Sequence, residues 1–353
     1  MEIVKQTSPF IRKQTSTTRI MIDVLIALLP VAAFAVFKFG SEALIRIVIS
    51  VVSMIGVEIL AIGFIGREKE AGTFGQKFCS RYKHLKANNF LAPAVSGVIY
   101  AMLVPSQIEI FPLVVGAILG MGLGKMIFGG FGQNIFNPAV VGRIIIGLGY
   151  GQSFIYHQTN ALSTGATPLG GTLTFAQRLN EFTFMEMFTG NIPGSMGEIC
   201  KIAILLGAAY LIFRRAADFR VMLGVLGSFI VMMFFAGLAQ YPDETFKYLL
   251  HAILSGGILF GAVFMATDPV TSPVSAPGRI LYGVLIGLVT ALIRVFGSYP
   301  EGMAFAIFIC NFITPLIDYT KTNNKYTWKY AVTLGVIVLG FIPVFYFLAG
   351  GGL

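Results

Sequence analysis

The sequence predicts an all-α polytopic membrane protein with about ten or eleven transmembrane or re-entrant helices in two related repeats. Hydrophobic residues make up 56% of the 353 positions and charged residues only 12%, against about 25% charged residues in an average soluble domain. Apolar runs close to the roughly 20 residues that a helix needs to span a bilayer recur along the chain. Together these observations exclude an ordinary soluble domain.

The first half of the chain contains the apolar stretches of the first predicted repeat. A glycine-rich segment, 129–138 (GGFGQNIFNP), interrupts them, because its composition does not suit a continuous helix. Pro138 at the end of this segment suits the first turn of the helix that follows. The predicted stretches are 20–37, 45–65, 90–104, 111–128 and 138–150.

The second half follows a long connection at 151–195 that contains few charges. Its apolar stretches are predicted at 198–213, 221–239, 248–267, 280–296, 302–317 and 330–349. The resulting divisions are a cytoplasmic N-terminal segment 1–19, a first membrane repeat 20–150, an extracytoplasmic loop 151–195 and a second membrane repeat 196–353.

The lysines and arginines indicate how the chain is inserted, because cytoplasmic loops carry an excess of them. Most of the 25 lie on the side shared by the N-terminal segment and the basic connection 66–89. We therefore expect a cytoplasmic N-terminus without a cleaved leader, and an extracytoplasmic loop 151–195, provided that the short helix 138–150 crosses the bilayer. The side of the C-terminus stays open. On such a chain the formal charge of +9 is a topology signal, and we expect no nucleic-acid partner.

The cysteines and histidines predict no local metal centre. The chain has three of each, and no Cys-x-x-Cys pair or comparable spacing brings them together. A zinc or iron–sulfur cage therefore cannot form from neighbouring residues, and a buried small hydrophobe is the simplest role for each cysteine. If the protein moves electrons, the carrier is expected to be an organic cofactor or to belong to a partner.

Two parts of the chain follow the same order of features and suggest an internal repeat. One begins at Val95-Ser96-Gly97 and the other at Leu254-Ser255-Gly256, and each continues through a proline-bearing break into a glycine-rich span. Repeats with interrupted helices place binding sites where broken helix ends offer unpaired backbone groups. We therefore expect a pocket or narrow pathway near Asn137 and Asp268, for a second cofactor or an ion. The alternative is a duplication that left two packing units with no ligand between them.

Several ionisable residues lie in or at the ends of apolar runs, where they are costly and are usually paired or functional. For Asp23, Glu58 and Arg143 the sequence leaves structural pairing and a role in ion or cofactor binding equally open. Asp268 precedes a proline in a break, which favours a functional role. Arg294 and Asp318 lie at the ends of runs, which favours interfacial anchoring.

The loop 151–195 contains the cluster Ser163-Thr164-Gly165-Ala166-Thr167-Pro168-Leu169. Its composition is first of all typical of a turn. Thr167 nevertheless follows a small, flexible step and precedes a proline, which favours an extended backbone for it and leaves its hydroxyl accessible to modification.

Several separated stretches resemble the RnfD/NqrB family of membrane flavoproteins. This family comprises the D subunit of the Rnf ferredoxin:NAD oxidoreductase and the B subunit of the sodium-pumping NADH:quinone oxidoreductase. The short N-terminal segment favours the Rnf branch. The stretches are Thr17–Met21, 130–139, Thr164–Thr167, Thr267–Pro273, 299–302 and 315–318.

The resemblance implies that Thr167 carries FMN through a phosphoester installed by a flavin transferase on the extracytoplasmic side, within a motif completed by Thr164, Gly165 and Ala166. Thr164 stands where serine is usual. The resemblance also implies a second, non-covalent flavin, riboflavin, and a fold similar to urea transporters. The implied partners are the other Rnf subunits, which carry the Fe–S centres, together with Na+ or H+ and the lipid of a bacterial inner membrane.

Three hypotheses follow for the function. The favoured one is an electron-transfer subunit whose covalent FMN relays electrons within a complex that translocates Na+ or H+, with no complete active site on this chain. A urea-transporter-like channel without a cofactor would explain the repeat and the broken helices, but not the Thr164–Thr167 motif. A purely structural anchor for other subunits would explain none of the breaks.

Overall fold

The computed structural model describes residues 16–65, 80–83, 85–151, 182–297, 301–319 and 328–350, and all regular structure in these ranges is helical. Each predicted apolar stretch coincides with one or two of these helices, so the all-α polytopic prediction is confirmed. The helices are α1 Thr17–Phe39, α2 Ser41–Ile65, α3 Asn88–Met102, α4 Ile110–Met121, α5 Pro138–Gly149, α6 Phe184–Thr189, α7 Lys201–Arg214, α8 Phe219–Gln240, α9 Thr245–Leu254, α10 Ile258–Phe260, α11 Ala276–Phe296, α12 Met303–Tyr319 and α13 Trp328–Pro343.

Four helices within the described ranges, namely α1, α2, α8 and α11, are long and apolar enough to cross a bilayer. A fifth span results if the pair Pro242–Leu254 and Ile258–Met265, which is bent by 58°, is counted as one. The sequence predicted a continuous span over 248–267, and this prediction is wrong in detail. The helix breaks at 255–257, where Gly256 adopts a left-handed φ of 64° that suits glycine.

The helices run between two opposite ends of the molecule, which we name after α7 the Lys201 end and the Arg214 end. Near the start of α1, Asp23 accepts a hydrogen bond from Arg214 at 3.2 Å. Near the end of α1, Lys38 donates to the carbonyl of Ile192, shortly before α7, at 3.0 Å. Helices α1 and α7 are therefore antiparallel.

Other contacts assign the remaining helices to these ends. Gly40, at a φ of 66°, reverses the chain directly into α2, which therefore starts at the Lys201 end. Arg46 of α2 donates to the carbonyl of Ile108 at 3.2 Å, which brings the start of α4 to the same end. At the Arg214 end, Arg279 at the start of α11 binds Asp218, the cap of α8, at 2.5 Å.

These directions give the two halves opposite orientations. Corresponding helices of the two halves run in opposite directions, as the pairs α1 and α7, α2 and α8, and α4 and α11 show. This is the arrangement of an inverted repeat. Lys125, shortly after α4, lies at the Arg214 end, whereas Arg294, near the end of α11, lies at the Lys201 end. The two repeats that the sequence predicted therefore have opposite orientations in the structure, which the sequence did not reveal.

Glycines allow the closest helix approaches. A Cβ atom on Gly120 of α4 would lie 2.6 Å from the carbonyl oxygen of Pro138 in α5, and one on Gly283 of α11 would lie 2.5 Å from the carbonyl oxygen of Val221 in α8. Without a hydrophobic driving force between helices in lipid, such close backbone packing is a main source of association.

Two of these helices, α4 and α10, continue directly into π-helical segments. Gly122–Met126 continues α4, and Gly261–Met265 continues α10. Each is followed by an irregular connection, and π-helical turns are frequent at functional sites. In the first connection, 127–137, Gly130 adopts a φ of 90° and Gly132 a φ of 84°, so the glycine-rich segment is used for backbone shapes that other residues rarely adopt.

Candidate functional site

A narrow cleft opens at the Arg214 end, between the irregular connections 127–137 and 266–275. Helices α1, α3 and α7 complete its wall. Both residues that the sequence nominated for a second site, Asn137 and Asp268, line this cleft, which brings the two halves of the chain together at one place.

Asn137 holds the start of α5. It is 4% exposed, its side-chain oxygen accepts from the backbone N–H of Ala139 at 3.0 Å, and its side-chain N–H donates to the carbonyl of Met265 at 3.4 Å. Asparagine is among the best N-cap residues because its oxygen satisfies an otherwise unpaired N–H of the first turn. The predicted start of a helix at Pro138 is confirmed, and the cap also joins the first half to the π-helical segment of the second.

Asn311 of α12 completes this junction. With its amide oriented to suit its neighbours, it donates to the hydroxyl of Tyr282 at 2.6 Å and to the carbonyl of Ile307 at 3.3 Å, and accepts from the backbone N–H of Asn137 at 3.3 Å. Asn311 is fully buried. Irregular backbone at membrane depth must be satisfied by protein groups, and Asn311 satisfies the N–H that precedes α5.

Asp268 organises the connection that follows the second π-helical segment. Its carboxylate accepts from the backbone N–H of Val270 at 3.2 Å and from the hydroxyl of Thr271 at 3.3 Å. The side chain is half-buried and faces the same cleft as Lys125. A carboxylate held by only two neutral donors keeps lone pairs for a further partner, which suits a cation or a ligand N–H.

Lys125 and Glu58 form a buried ion pair beside the cleft, with side chains 3% and 1% exposed. The ammonium group of Lys125 also lies 5.3 Å from the centre of the Phe131 ring. From the sequence, Lys125 counts among the charges that indicate topology. In the structure this lysine is buried and neutralised by a carboxylate rather than presented to a membrane surface.

Other ionisable residues of the apolar runs are also paired. Arg143 lies 3.6 Å from Glu301 at the Lys201 end. Arg294 is not limited to an interfacial anchor, since it donates to the carbonyl of Ala252 at 2.6 Å. Asp318 accepts from the backbone N–H of Val274 at 3.0 Å and so holds the connection before α11.

The motif for covalent attachment, Thr164, Gly165, Ala166 and Thr167, lies outside the described residues. The end of the same loop is described from residue 182. Its helix α6 begins with a capping box between Thr183 and Glu186. The following segment, 190–200, is largely buried against the membrane helices, so the part of the loop next to α7 belongs to the packed core.

The sequence nominated only two of the residues that line the cleft. Those it did not nominate include Lys125, Asn134 and Thr267. Asn134 lies in the interrupted segment 129–138, and Thr267 directly precedes Asp268, so proximity along the chain was the available signal for both. Nothing in the local sequence connects Lys125 to Glu58, because they are brought together only by the packing of the helices.

Comparison with known proteins adds three findings. The model of the NQR2, RnfD, RnfE family matches residues 4–327. The chain is 34% identical to the D subunit of the Na(+)-translocating ferredoxin:NAD(+) oxidoreductase complex of Acetobacterium woodii, over 91% of this chain and 94% of that protein. It is 36% identical to the B subunit of the Na(+)-translocating NADH-quinone reductase of Chromohalobacter salexigens, over 67% of this chain and 60% of that protein.

A further relative, the D subunit of the proton-translocating ferredoxin:NAD(+) oxidoreductase complex of Clostridium ljungdahlii, is 32% identical over 88% of this chain and 92% of its own length. The chain therefore spans nearly the whole of these two ferredoxin-linked relatives, but only about 60% of the relative from Chromohalobacter. All three relatives are, by name, subunits of ion-translocating oxidoreductase complexes.

Proposed function

Because this chain belongs to the NQR2, RnfD, RnfE family, we propose that it is the D subunit of an Rnf-type complex that couples electron transfer between ferredoxin and NAD to the translocation of Na+ or H+. The observation that carries the proposal is the match along nearly the whole length of two D subunits of ferredoxin:NAD(+) oxidoreductases. Its partners are the remaining subunits of the complex, which supply the Fe–S centres and the binding sites for ferredoxin and NAD.

The first cofactor of the proposed subunit is FMN, attached through its phosphate to the hydroxyl of Thr167. The Thr164–Thr167 sequence supports this assignment, and a flavin transferase is needed for the attachment. A flavin held in this way supplies one- and two-electron chemistry, while the protein determines its position and surroundings. The loop that carries Thr167 lies on the extracytoplasmic side of a bacterial inner membrane, in agreement with the distribution of lysines and arginines.

The second cofactor is riboflavin, and the cleft at the Arg214 end has groups that suit it. Phe131 and Phe264 provide apolar surface for a flat ring system, and Lys125, Asn134 and Asp268 provide donors and acceptors for its polar edge. A pocket that is mostly apolar with a few convergent polar groups is typical of cofactor sites. Asn137 and Asp268 would also border the ion pathway, because the cleft ends at the junction between the two halves.

The covalent flavin is tested by expressing the chain together with a competent flavin transferase. We expect the denatured chain to show in-gel flavin fluorescence and the added mass of one FMN. Thr167→Val should lose both signals, whereas the matched variant Thr172→Val in the same loop should keep them. A fluorescent Thr167→Val chain would refute the assigned residue. A wild-type chain without covalent flavin would favour the cofactor-free channel, to be examined by solute flux.

The non-covalent flavin is tested by measuring the flavin released when the purified chain is denatured. We expect Thr167→Val to release riboflavin as the wild type does, since the two sites are separate. Asp268→Asn should lower the released amount, because it weakens the polar wall of the cleft. The control Asp318→Asn changes an acid at the same end that does not line the cleft. Equal release from the two aspartate variants would argue against this site.

A further inference from the structure

A second group of buried polar residues lies at the Lys201 end, where segment 190–200 meets both halves of the chain. Met196 donates its backbone N–H to the carbonyl of Val104 at 3.1 Å, and Gly197 donates to the carbonyl of Met102 at 2.8 Å. The next residue, Glu198, is 4% exposed. Segment 190–200 is therefore fixed to the end of α3, and it brings a carboxyl group into the protein interior.

Glu198 lies directly against the break between α9 and α10. A Cβ atom on Gly257 would lie 2.5 Å from Oε1 of Glu198, so only glycine leaves room for the carboxyl group. Ser195, in the same segment, and Ser255, beside the break, are both fully buried, and neither hydroxyl has a hydrogen-bond partner in the part of the chain that the structure describes. Oε2 of Glu198 also lacks a donor there.

The side chains of Lys201 and Arg294 donate to backbone carbonyls rather than to the carboxyl group of Glu198. Lys201, fully buried, donates to the backbone carbonyls of Glu198 and Gly256. Arg294 donates to the carbonyls of Ala252 and Ser255 at 2.6 and 3.2 Å. The carbonyls of Ala252, Ser255 and Gly256 end or follow α9, where the helix dipole is negative and favours positive charge. Both cations are thus engaged by the broken helix.

The remaining cation, Arg143, is engaged by Glu301 at 3.6 Å. The side chains of Glu198 and Glu301 lie close enough together to interact. Ionised carboxylates only accept hydrogen bonds, so two of them can share one only if a proton is present. Of the two acids, Glu198 has the poorer supply of donors and is the one that would hold the proton.

We propose that Glu198 and Glu301 form a binding site for one proton at the Lys201 end of the membrane domain. Proton uptake converts the carboxylate of Glu198 into a carboxylic acid that donates to Glu301, and release restores the carboxylate. The proposal deepens the proposed function, because it adds an ion-exchange site on the side opposite the cleft.

The charges around the site agree with this assignment. Glu301, Arg143 and Lys201 act on Glu198, and Arg294 interacts with both acids and with Lys201. In the connection before α7, burial is the largest cause that raises the pKa of Glu198 well above its usual range, and the nearby Glu301 adds to it. Burial disfavours the charged form of a carboxyl group.

Infrared difference spectroscopy between acidic and alkaline buffer tests the site on the full chain in detergent. We expect the wild type to show a carboxylic-acid C=O band that shifts in D2O. The band should disappear in Glu198→Gln and persist in Glu109→Gln, which changes an exposed acid at the same end. Glu301→Gln should shift the band, because the hydrogen-bond partner changes. If Glu198→Gln does not fold, Glu198→Asp is used, and a shifted rather than an unchanged band is expected.

Two results would overturn the proposal. One is a band that is missing in the wild type, or present and unchanged in Glu198→Gln and Glu198→Asp. The other is removal of the band by NaCl, but not by choline chloride, at constant pH, which would identify a sodium site. The spectrum does not depend on flavin attachment, so failure of this site and failure of the proposed electron-transfer role are distinguished.

Discussion

The backbone N–H of Asn137 and the side-chain oxygen of Asn311 lie 3.3 Å apart. This contact joins the start of α5, in the first half of the chain, to the middle of α12, in the second. It also places a buried polar pair directly beside the cleft that Asn137 lines. The junction between the halves is therefore held by hydrogen bonds as well as by apolar packing.

Asn311→Leu should lower the stability of the protein. The change leaves the N–H of Asn137 and the hydroxyl of Tyr282 without their present partner, and a buried group that loses its hydrogen bond costs about 1–3 kcal/mol. The measurement is thermal unfolding of the purified chain in detergent. Thr314→Val is the matched control, since it removes only a hydrogen bond to Cys310 within the same helix. Equal midpoints for the two variants would contradict the role of this contact.

Lys125→Met should destabilise the protein more strongly, by about 3–5 kcal/mol, because it leaves Glu58 buried without its cation. Adding Glu58→Gln to Lys125→Met should recover much of the loss. The control is Lys247→Met, which breaks an exposed pair with Glu244 and should cost at most about 1 kcal/mol. The measurement is the thermal unfolding midpoint of the wild type, the two single variants and the double variant. A double variant no more stable than Lys125→Met would show that Glu58 does not need this partner.

Gly283→Ala should separate α8 from α11. Its methyl group would lie 2.5 Å from the carbonyl oxygen of Val221, and backbone cannot move aside as a side chain can. Overpacking of this kind costs about 1–3 kcal/mol. In contrast, Gly227→Ala in α8 meets nothing within 4 Å and should leave the unfolding temperature unchanged or slightly raised. If both variants unfold at the same temperature, the close approach of these helices is not a source of stability.

The sequence was sufficient to predict elements whose causes are local. Apolar runs predict the helices, and the Asn-Pro step at 137–138 predicts a capped helix start, which the structure confirms. The neighbourhood of Asn137 and Asp268 was also predicted, because breaks in a repeated pattern indicate the places where helix ends meet. Thr167 stays a prediction, since it lies outside the described residues.

Features that depend on the packing of distant segments could not be predicted in this way. Lys125 and Glu58 lie 67 positions apart in the sequence. Taken alone, each resembles an ordinary charged residue of a loop or of a membrane span. Glu198 lies just before α7, at the first position of the apolar stretch that the sequence predicted over 198–213. Its burial results from the contact of segment 190–200 with α3 and with the break after α9, and neither contact leaves a local pattern. The break at 255–257 was missed because the apolar run continues through it.

The two ends of the molecule should lie on opposite sides of the membrane, with the Arg214 end in the cytoplasm. Met185 of α6 at the Lys201 end is 70% exposed, and Tyr319 at the end of α12, near the Arg214 end, is 85% exposed. In a Cys79→Ser background, with Cys200 and Cys310 buried, an impermeant maleimide should label Met185→Cys in intact spheroplasts. It should label Tyr319→Cys only after permeabilisation. Labelling of Tyr319→Cys in intact spheroplasts, with protection of Met185→Cys, would reverse the orientation and place the Glu198–Glu301 site on the cytoplasmic side.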